Sequence, residues 1–111
     1  MADDPTRLFG LLALASVPLA DLDRLTAAVV DRGEASGGDG AVATFLGLVR
    51  NHNAGRRVTF LEYEAYDALA LKAFERIAAE IEARWPGVRL GLHHRTGRLD
   101  VGEASVAIAA A

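Results

Sequence analysis

The sequence predicts an α+β fold with its helices on one face of a mainly antiparallel sheet. Three observations predict it. Two segments space their apolar residues as a helix does, Leu22-Leu25-Val29 and Ala70-Phe74-Ile77-Ile81-Trp85. The other apolar segments are short and bounded by turn residues, as strands are. They also fall in pairs between and after the helices, which gives the order β-α-β-β-α-β-β.

The first strand is expected over residues 7–17, ending at Pro18. Asp21 is then placed to cap a helix running to Arg32. Gly33 ends that helix as a C-terminal glycine commonly does. Residues 34–40 hold three glycines and one serine and read as a loop. They lack a Gly-Lys-Ser/Thr ending and a following helix, so this is not a phosphate loop. Residues 41–49 are almost continuously apolar, as expected of a strand covered on both faces. Asn51-His52-Asn53-Ala54-Gly55 is a turn cluster, and residues 58–66 form the next strand, pairing with 41–49 as a hairpin with a long loop. Asp67 is expected to cap a long helix that stops at Pro86-Gly87 after Trp85. Lys72 lies two residues from Ala70, about 200° around that helix, and so faces solvent. Residues 88–94 and 105–111 are the closing strands, joined through Thr96-Gly97-Arg98 and Val101-Gly102-Glu103.

A chain of 111 residues is one domain by length. Its 51% hydrophobic and 24% charged content is ordinary for a soluble globular protein. With no cysteine, disulfides, thiol catalysis and thiolate metal sites are excluded. A net charge of −3 gives no footprint for nucleic acid, which calls for a basic face. Residues 9–20 resemble a signal-peptide core, but the residues before them carry two acids and one base, where an export signal is net positive. The run is also too short to span a bilayer. A cytoplasmic protein with no membrane partner is expected. Eleven arginines stand against one lysine, so any chemistry needing a lysine has only Lys72 to draw on. The last residues, Val106-Ala107-Ile108-Ala109-Ala110-Ala111, end without the polar tail usual at a terminus, and more chain is expected to follow.

Arg50 follows an apolar strand and opens a polar loop. On spacing alone the commoner reading is a solvated strand-end arginine; the other is a guanidinium reaching from the sheet edge into a cleft. His52 reads as a loop histidine bonded to nearby backbone, or as a phosphate donor or general acid. His93 and His94 are adjacent in a strand and face opposite sides, unlike a metal pair. Without a cysteine or a His-x-x-x-His helix, no zinc or iron site and no cofactor is expected. Glu62 and Glu64 share a strand face and read as an exposed pair or as acid–base partners. Tyr63 and Tyr66 read as packing residues.

Several stretches, taken together, carry a resemblance. The strongest is Gly40-Ala41-Val42-Ala43-Thr44-Phe45-Leu46-Gly47-Leu48-Val49-Arg50-Asn51-His52-Asn53. Leu61-Glu62-Tyr63-Glu64-Ala65-Tyr66 follows, then Arg84-Trp85-Pro86, then His94-Arg95-Thr96-Gly97-Arg98-Leu99 and Val101-Gly102-Glu103. In order and spacing these resemble the large, catalytic subunit of molybdopterin synthase, over essentially the whole chain. The resemblance implies an α/β hammerhead fold with an added antiparallel sheet. It implies a homodimer that binds a ubiquitin-like small subunit, whose thiocarboxylated Gly-Gly tail delivers sulfur to a pterin substrate, cyclic pyranopterin monophosphate, to give molybdopterin. It also implies that Leu48, Val49 and Arg50 fall on the substrate pocket, with Arg50 holding a phosphate or carboxyl group by a forked contact. His52 would shape that pocket and Phe45 would line it. The family's catalytic lysines follow a Ser-x-His-Arg segment and lie beyond Ala111. Lys72 does not match them, so these 111 residues are expected to be inactive alone. The alternative is a non-catalytic module that docks the small subunit.

Overall fold

The computed structural model describes residues 11–19, 22–30 and 37–111. Along the chain come β1 (Leu12–Ala15), α1 (Leu22–Val29), β2 (Ala43–Leu48), β3 (His52–Asn53), β4 (Arg56–Arg57), β5 (Phe60–Tyr63), α2 (Asp67–Arg84), β6 (Leu90–Arg95), β7 (Gly97–Asp100) and β8 (Ala104–Ala110). Four strands form the main sheet in the order β1-β6-β8-β2, with β1 parallel to β6 and the other pairings antiparallel. Two ribbons, β3–β4 and β5–β7, complete the architecture. It is a mixed α+β fold with an antiparallel-dominated sheet, as the sequence predicts.

The core sits between α1 and the centre of that sheet. On β8, Ser105, Ala107 and Ala109 are buried while their neighbours are half-buried, the two-residue period of a strand with one better-covered face. Leu25 and Val29 of α1, 1% and 0% exposed, pack with Ala107 and Ala109, and Leu22 packs against this cluster. Burying a leucine this fully contributes about 2 kcal/mol. Gly91 on β6 lets the helix lie so close: a Cβ there would stand 2.7 Å from Leu25 Cδ1 and 3.1 Å from Val29 Cγ1. Arg89 closes the end of α1, donating its Nε–H to the Val29 carbonyl while its Nη2 pairs with Asp39 at 2.6 Å. A cation is well placed at a helix C-terminus.

Several expectations change. The apolar run 41–49 does not become a strand covered on both faces. Among the described residues β2 lies at the sheet edge and pairs only with β8, and Phe45, Leu46 and Leu48 are exposed. An unbroken apolar pattern records a demand for cover without saying what supplies it. β2 and β5 do not form a hairpin with each other. β5 pairs instead with β7, and the small β3–β4 hairpin fills the space between them in sequence. The order is therefore β-α-β-β-β-β-α-β-β-β, with β7 replacing the connector expected at Thr96-Gly97-Arg98. Asp67 is the first residue of α2 and not its cap; Tyr66 takes the cap position without a side-chain bond. Along the expected stripe of α2, Ala70, Phe74 and Ile81 are half-buried while Ile77 and Trp85 are exposed, and no residue of the helix is fully buried. Lys72 faces solvent, as expected. The strand start at Arg7, the Asp21 cap, the stop at Arg32-Gly33 and the first half of the 34–40 loop lie outside the described residues. No described helix is long and apolar enough to cross a membrane.

Candidate functional site

The site is built where β2 leaves the sheet. The register between β2 and β8 shifts at Gly47 and Leu48: Gly47 pairs with Val106 but Leu48 pairs with Ala104, leaving Ser105 as the extra residue. Such a bulge bends the pairing and re-aims the residues next to it. The hydroxyl of Ser105 donates to the Gly47 carbonyl at 3.3 Å, which ties the shift down. Val49 is then held from both sides by main-chain bonds. Its N–H donates to the Glu103 carbonyl at 2.9 Å, and its own carbonyl accepts from Gly102 N–H at 2.7 Å. Gly102 sits at φ +90°, a conformation costly for other residues.

Behind that turn is an unusual side chain. Arg95 is 5% exposed, and its guanidinium donates to Glu103 Oε2 at 2.7 Å and to the Arg98 carbonyl at 3.0 Å. Its Nε–H is buried without a partner among the described residues. The other carboxylate oxygen, Glu103 Oε1, accepts from the Asp100 N–H at 3.3 Å. A buried cation is tolerated only when paired and bonded, so Arg95 and Glu103 hold the 100–103 turn against Val49. Arg50 follows Val49 into solvent, where its Nη2 donates to Asn53 Oδ1 at 3.4 Å.

The chain then makes the β3–β4 hairpin. Ala54 and Gly55 both take positive φ, 51° and 77°, the requirement of a tight primed turn. The His52 Nδ1–H donates to Asn51 Oδ1 at 2.8 Å, and Val58 N–H donates to the Asn51 carbonyl at 2.8 Å, closing the base of the hairpin.

Between this hairpin and β5 lies a hollow of about 280 Å³. It is lined by Leu48, Val49, Arg50, His52, Asn53, Val58, Leu61 and Tyr63. The structure thus brings together four of the five residues singled out from sequence. Phe45 is elsewhere: it is 57% exposed on the edge strand, with its ring against Gly47 and not among the lining residues. Tyr63, read from sequence as a packing residue, stands edge-on to His94 with ring centroids 5.1 Å apart. His94 in turn donates to the Arg95 carbonyl at 2.6 Å. His93 is buried on the opposite side of β6. Glu62 is exposed opposite Arg98 on the β5–β7 ribbon, and Glu64 lies past the strand end, so the two do not form a carboxylate pair at this hollow. Leu61 and Tyr63 enter through the β5–β7 pairing, which no local pattern announces, and Asn53 through the β3–β4 hairpin.

Chemically, the hollow is an apolar slot with a guanidinium at one side and no acid or lysine among its lining residues. It suits a flat or apolar ligand that carries a negative group. No group of three or more potential metal ligands occurs among the described residues.

Comparison with known proteins gives a consistent result. A molybdopterin synthase catalytic subunit from Nostoc is 50% identical over 72 residues, covering 64% of this chain and 44% of the relative. The Bacillus subtilis protein of that name is 49% identical over 70 residues, covering 63% and 45%. The chain spans about half the length of the curated relatives it matches. Among solved structures, molybdopterin synthase from Staphylococcus aureus superposes with a TM-score of 0.77 at 31% identity, covering 87% of this chain and 66% of that one. Molybdopterin cofactor biosynthesis protein E from Burkholderia multivorans gives 0.73 at 34%, covering 91% and 66%. The family described as "MoaE protein" matches residues 19–111, and the chain belongs to it.

Proposed function

We propose that the protein carrying this chain acts in molybdenum cofactor biosynthesis as the large subunit of a cytoplasmic molybdopterin synthase. Sulfur would pass from the thiocarboxylated C-terminus of a ubiquitin-like small subunit to cyclic pyranopterin monophosphate, giving molybdopterin. The observation that carries the reading is the slot beside Arg50: an apolar wall with a single cation, where a pterin-sized ring bearing a phosphate, or an extended tail ending in a charged carbonyl group, finds both of its requirements. The names of the relatives support the same assignment. In this reading Leu48, Val49, His52 and Arg50 contribute binding and orientation. The lysine chemistry of the family is assigned to residues other than these 111, because Lys72, the only lysine present, does not line the slot. Phe45, outside the slot, is assigned to a contact surface.

The partners belong to the same proposal: a second copy of the large subunit and the small subunit. Val42, Phe45, Leu46 and Leu48 place an exposed apolar strip along the edge of the sheet, which supports a role in assembly.

The test is Arg50→Ala in the full-length protein, assayed with thiocarboxylated small subunit and pterin precursor. Because the side chain is exposed and bonded only to Asn53 among the described residues, the circular dichroism spectrum and melting point should stay unchanged. Turnover should fall by about 100-fold, as expected when a charged contact to a reacting group is lost. Wild-type turnover would remove Arg50 from the site.

A further inference from the structure

β5 sorts its side chains by face. Phe60 and Glu62 are exposed, whereas Leu61 and Tyr63 are half-buried and both line the hollow beside Arg50. This is the two-residue period of a strand, so one face of β5 presents a leucine and a tyrosine to the slot. The aromatic on the opposite face is already covered, since the Arg98 guanidinium lies 4.0 Å from the centre of the Phe60 ring.

The surroundings hold Tyr63 without enclosing it. Its ring meets that of His94 at 85°, with centroids 5.1 Å apart. A perpendicular contact of this kind engages at most one face of the tyrosine. His94 is itself anchored by the bond from its Nδ1–H to the Arg95 carbonyl, so Tyr63 rests against a fixed neighbour. Across the ribbon Tyr63 is opposite Gly97, and a Cβ built on Gly97 would meet nothing within 4 Å. The tyrosine therefore does not lean back over its cross-strand partner, as aromatic residues can do above a glycine.

The rest of the slot bears on what it can take. At about 280 Å³ it falls near the lower end of small-molecule pockets, about 300 Å³. That is room for one ring system with its charged substituent. An extended peptide tail draws its affinity from free main-chain groups. Here the N–H and carbonyl of Val49 are already bonded to Glu103 and Gly102, and the N–H of Val58 to Asn51. A flat heteroaromatic ring needs none of these and gains by stacking on an aromatic face.

We infer that Tyr63 recognises the ring of the ligand: the flat heteroaromatic system stacks on its open face while Arg50 takes the anionic substituent. The inference rests on the pterin reading of the slot given above and narrows it, assigning the slot to the ring and not to the sulfur-carrying tail. His94 sets the tilt of the tyrosine and does not touch the ligand.

The experiment is an NMR titration of the full-length protein with pterin-6-carboxylate, a flat ring carrying one anionic group, and with glycerol phosphate, an anion without a ring. Tyr63→Leu should weaken pterin-6-carboxylate about tenfold, the usual worth of one stacked ring, and leave glycerol phosphate unchanged. Tyr63→Phe should bind both probes as the wild type does. The ring proton of the bound pterin should move upfield in wild type and Tyr63→Phe, through the ring current of the face it lies over, and lose that shift in Tyr63→Leu. Arg50→Gln should weaken both probes. A Tyr63→Leu variant that weakened both probes alike would reveal a slot deformed by the substitution and would overturn the inference. So would unaltered pterin affinity in Tyr63→Leu, or a loss in Tyr63→Phe as large as in Tyr63→Leu. If pterin binding depended on Arg50 but not on Tyr63, the inference would fall and the pterin reading would stand. Pterin binding indifferent to Arg50, or displaced by a Gly-Gly-ended peptide bound in the slot, would sink both.

Discussion

The two helices of this protein do opposite jobs. α1 has eight residues and supplies Leu25 and Val29, two of the most deeply buried side chains among those described. α2 has eighteen residues and buries none of them fully; Leu69, Ile77 and Trp85 stay exposed. Both show apolar residues at helical spacing. The difference lies in what they meet. α1 lies over the small residues of β8 and the bare backbone of Gly91, so its leucine and valine enter the sheet surface. α2 runs beside β1, at the sheet margin, where a single short strand cannot cover its stripe. Amphipathic spacing identifies the face a helix must hide, while the depth of burial depends on the breadth of the surface opposite.

The contrast can be broken or sharpened by three substitutions. Leu25→Ala should cost the most, about 3 kcal/mol, from lost burial plus the cavity left against Ala107 and Ala109; the urea midpoint should drop sharply with little change in slope. Gly91→Ala should cost about 2 kcal/mol, since the new Cβ would press on Leu25 and Val29 at 2.7 and 3.1 Å. A neutral or stabilising result would mean that α1 rides higher on the sheet than described. Ile77→Ala should cost least, below about 1 kcal/mol, for a side chain 42% exposed. If it matched Leu25→Ala, the outer face of α2 would be covered in solution, and sedimentation at several concentrations would show whether a second copy does the covering.

Much of the frame was legible in the sequence because local signals and tertiary placement agree there. The Leu22-Leu25-Val29 face, the alternation of β8 and the extent of α2 all come out within one or two residues over the described stretches. Legibility fails where identity depends on a neighbour. Residues 41–49 read the same whether a strand is central or at an edge. Gly97-Arg98-Leu99-Asp100 has one apolar residue and becomes a strand only because β5 lies alongside. The hairpin was hidden inside a cluster that said only "turn". At the site, Arg50 stood out through a family resemblance and not through its spacing, which favours a plain solvated arginine. Tyr63 and Leu61 join it through a pairing that spans the whole of α2. The resemblance puts Phe45 in the pocket by position, whereas its side of β2 leads to Gly47.

The anchoring of Val49 by main-chain bonds on both sides has a practical outcome. Its moorings, to Glu103 and Gly102, involve no atom of the arginine next in the chain. Position 50 therefore hangs from a fixed pivot, and exchanging its side chain swaps the tool without moving the handle. Arg50→Lys, →Gln and →Met can be compared as a series in charge, fork and length alone, with differences among them ascribed to the group presented to the ligand.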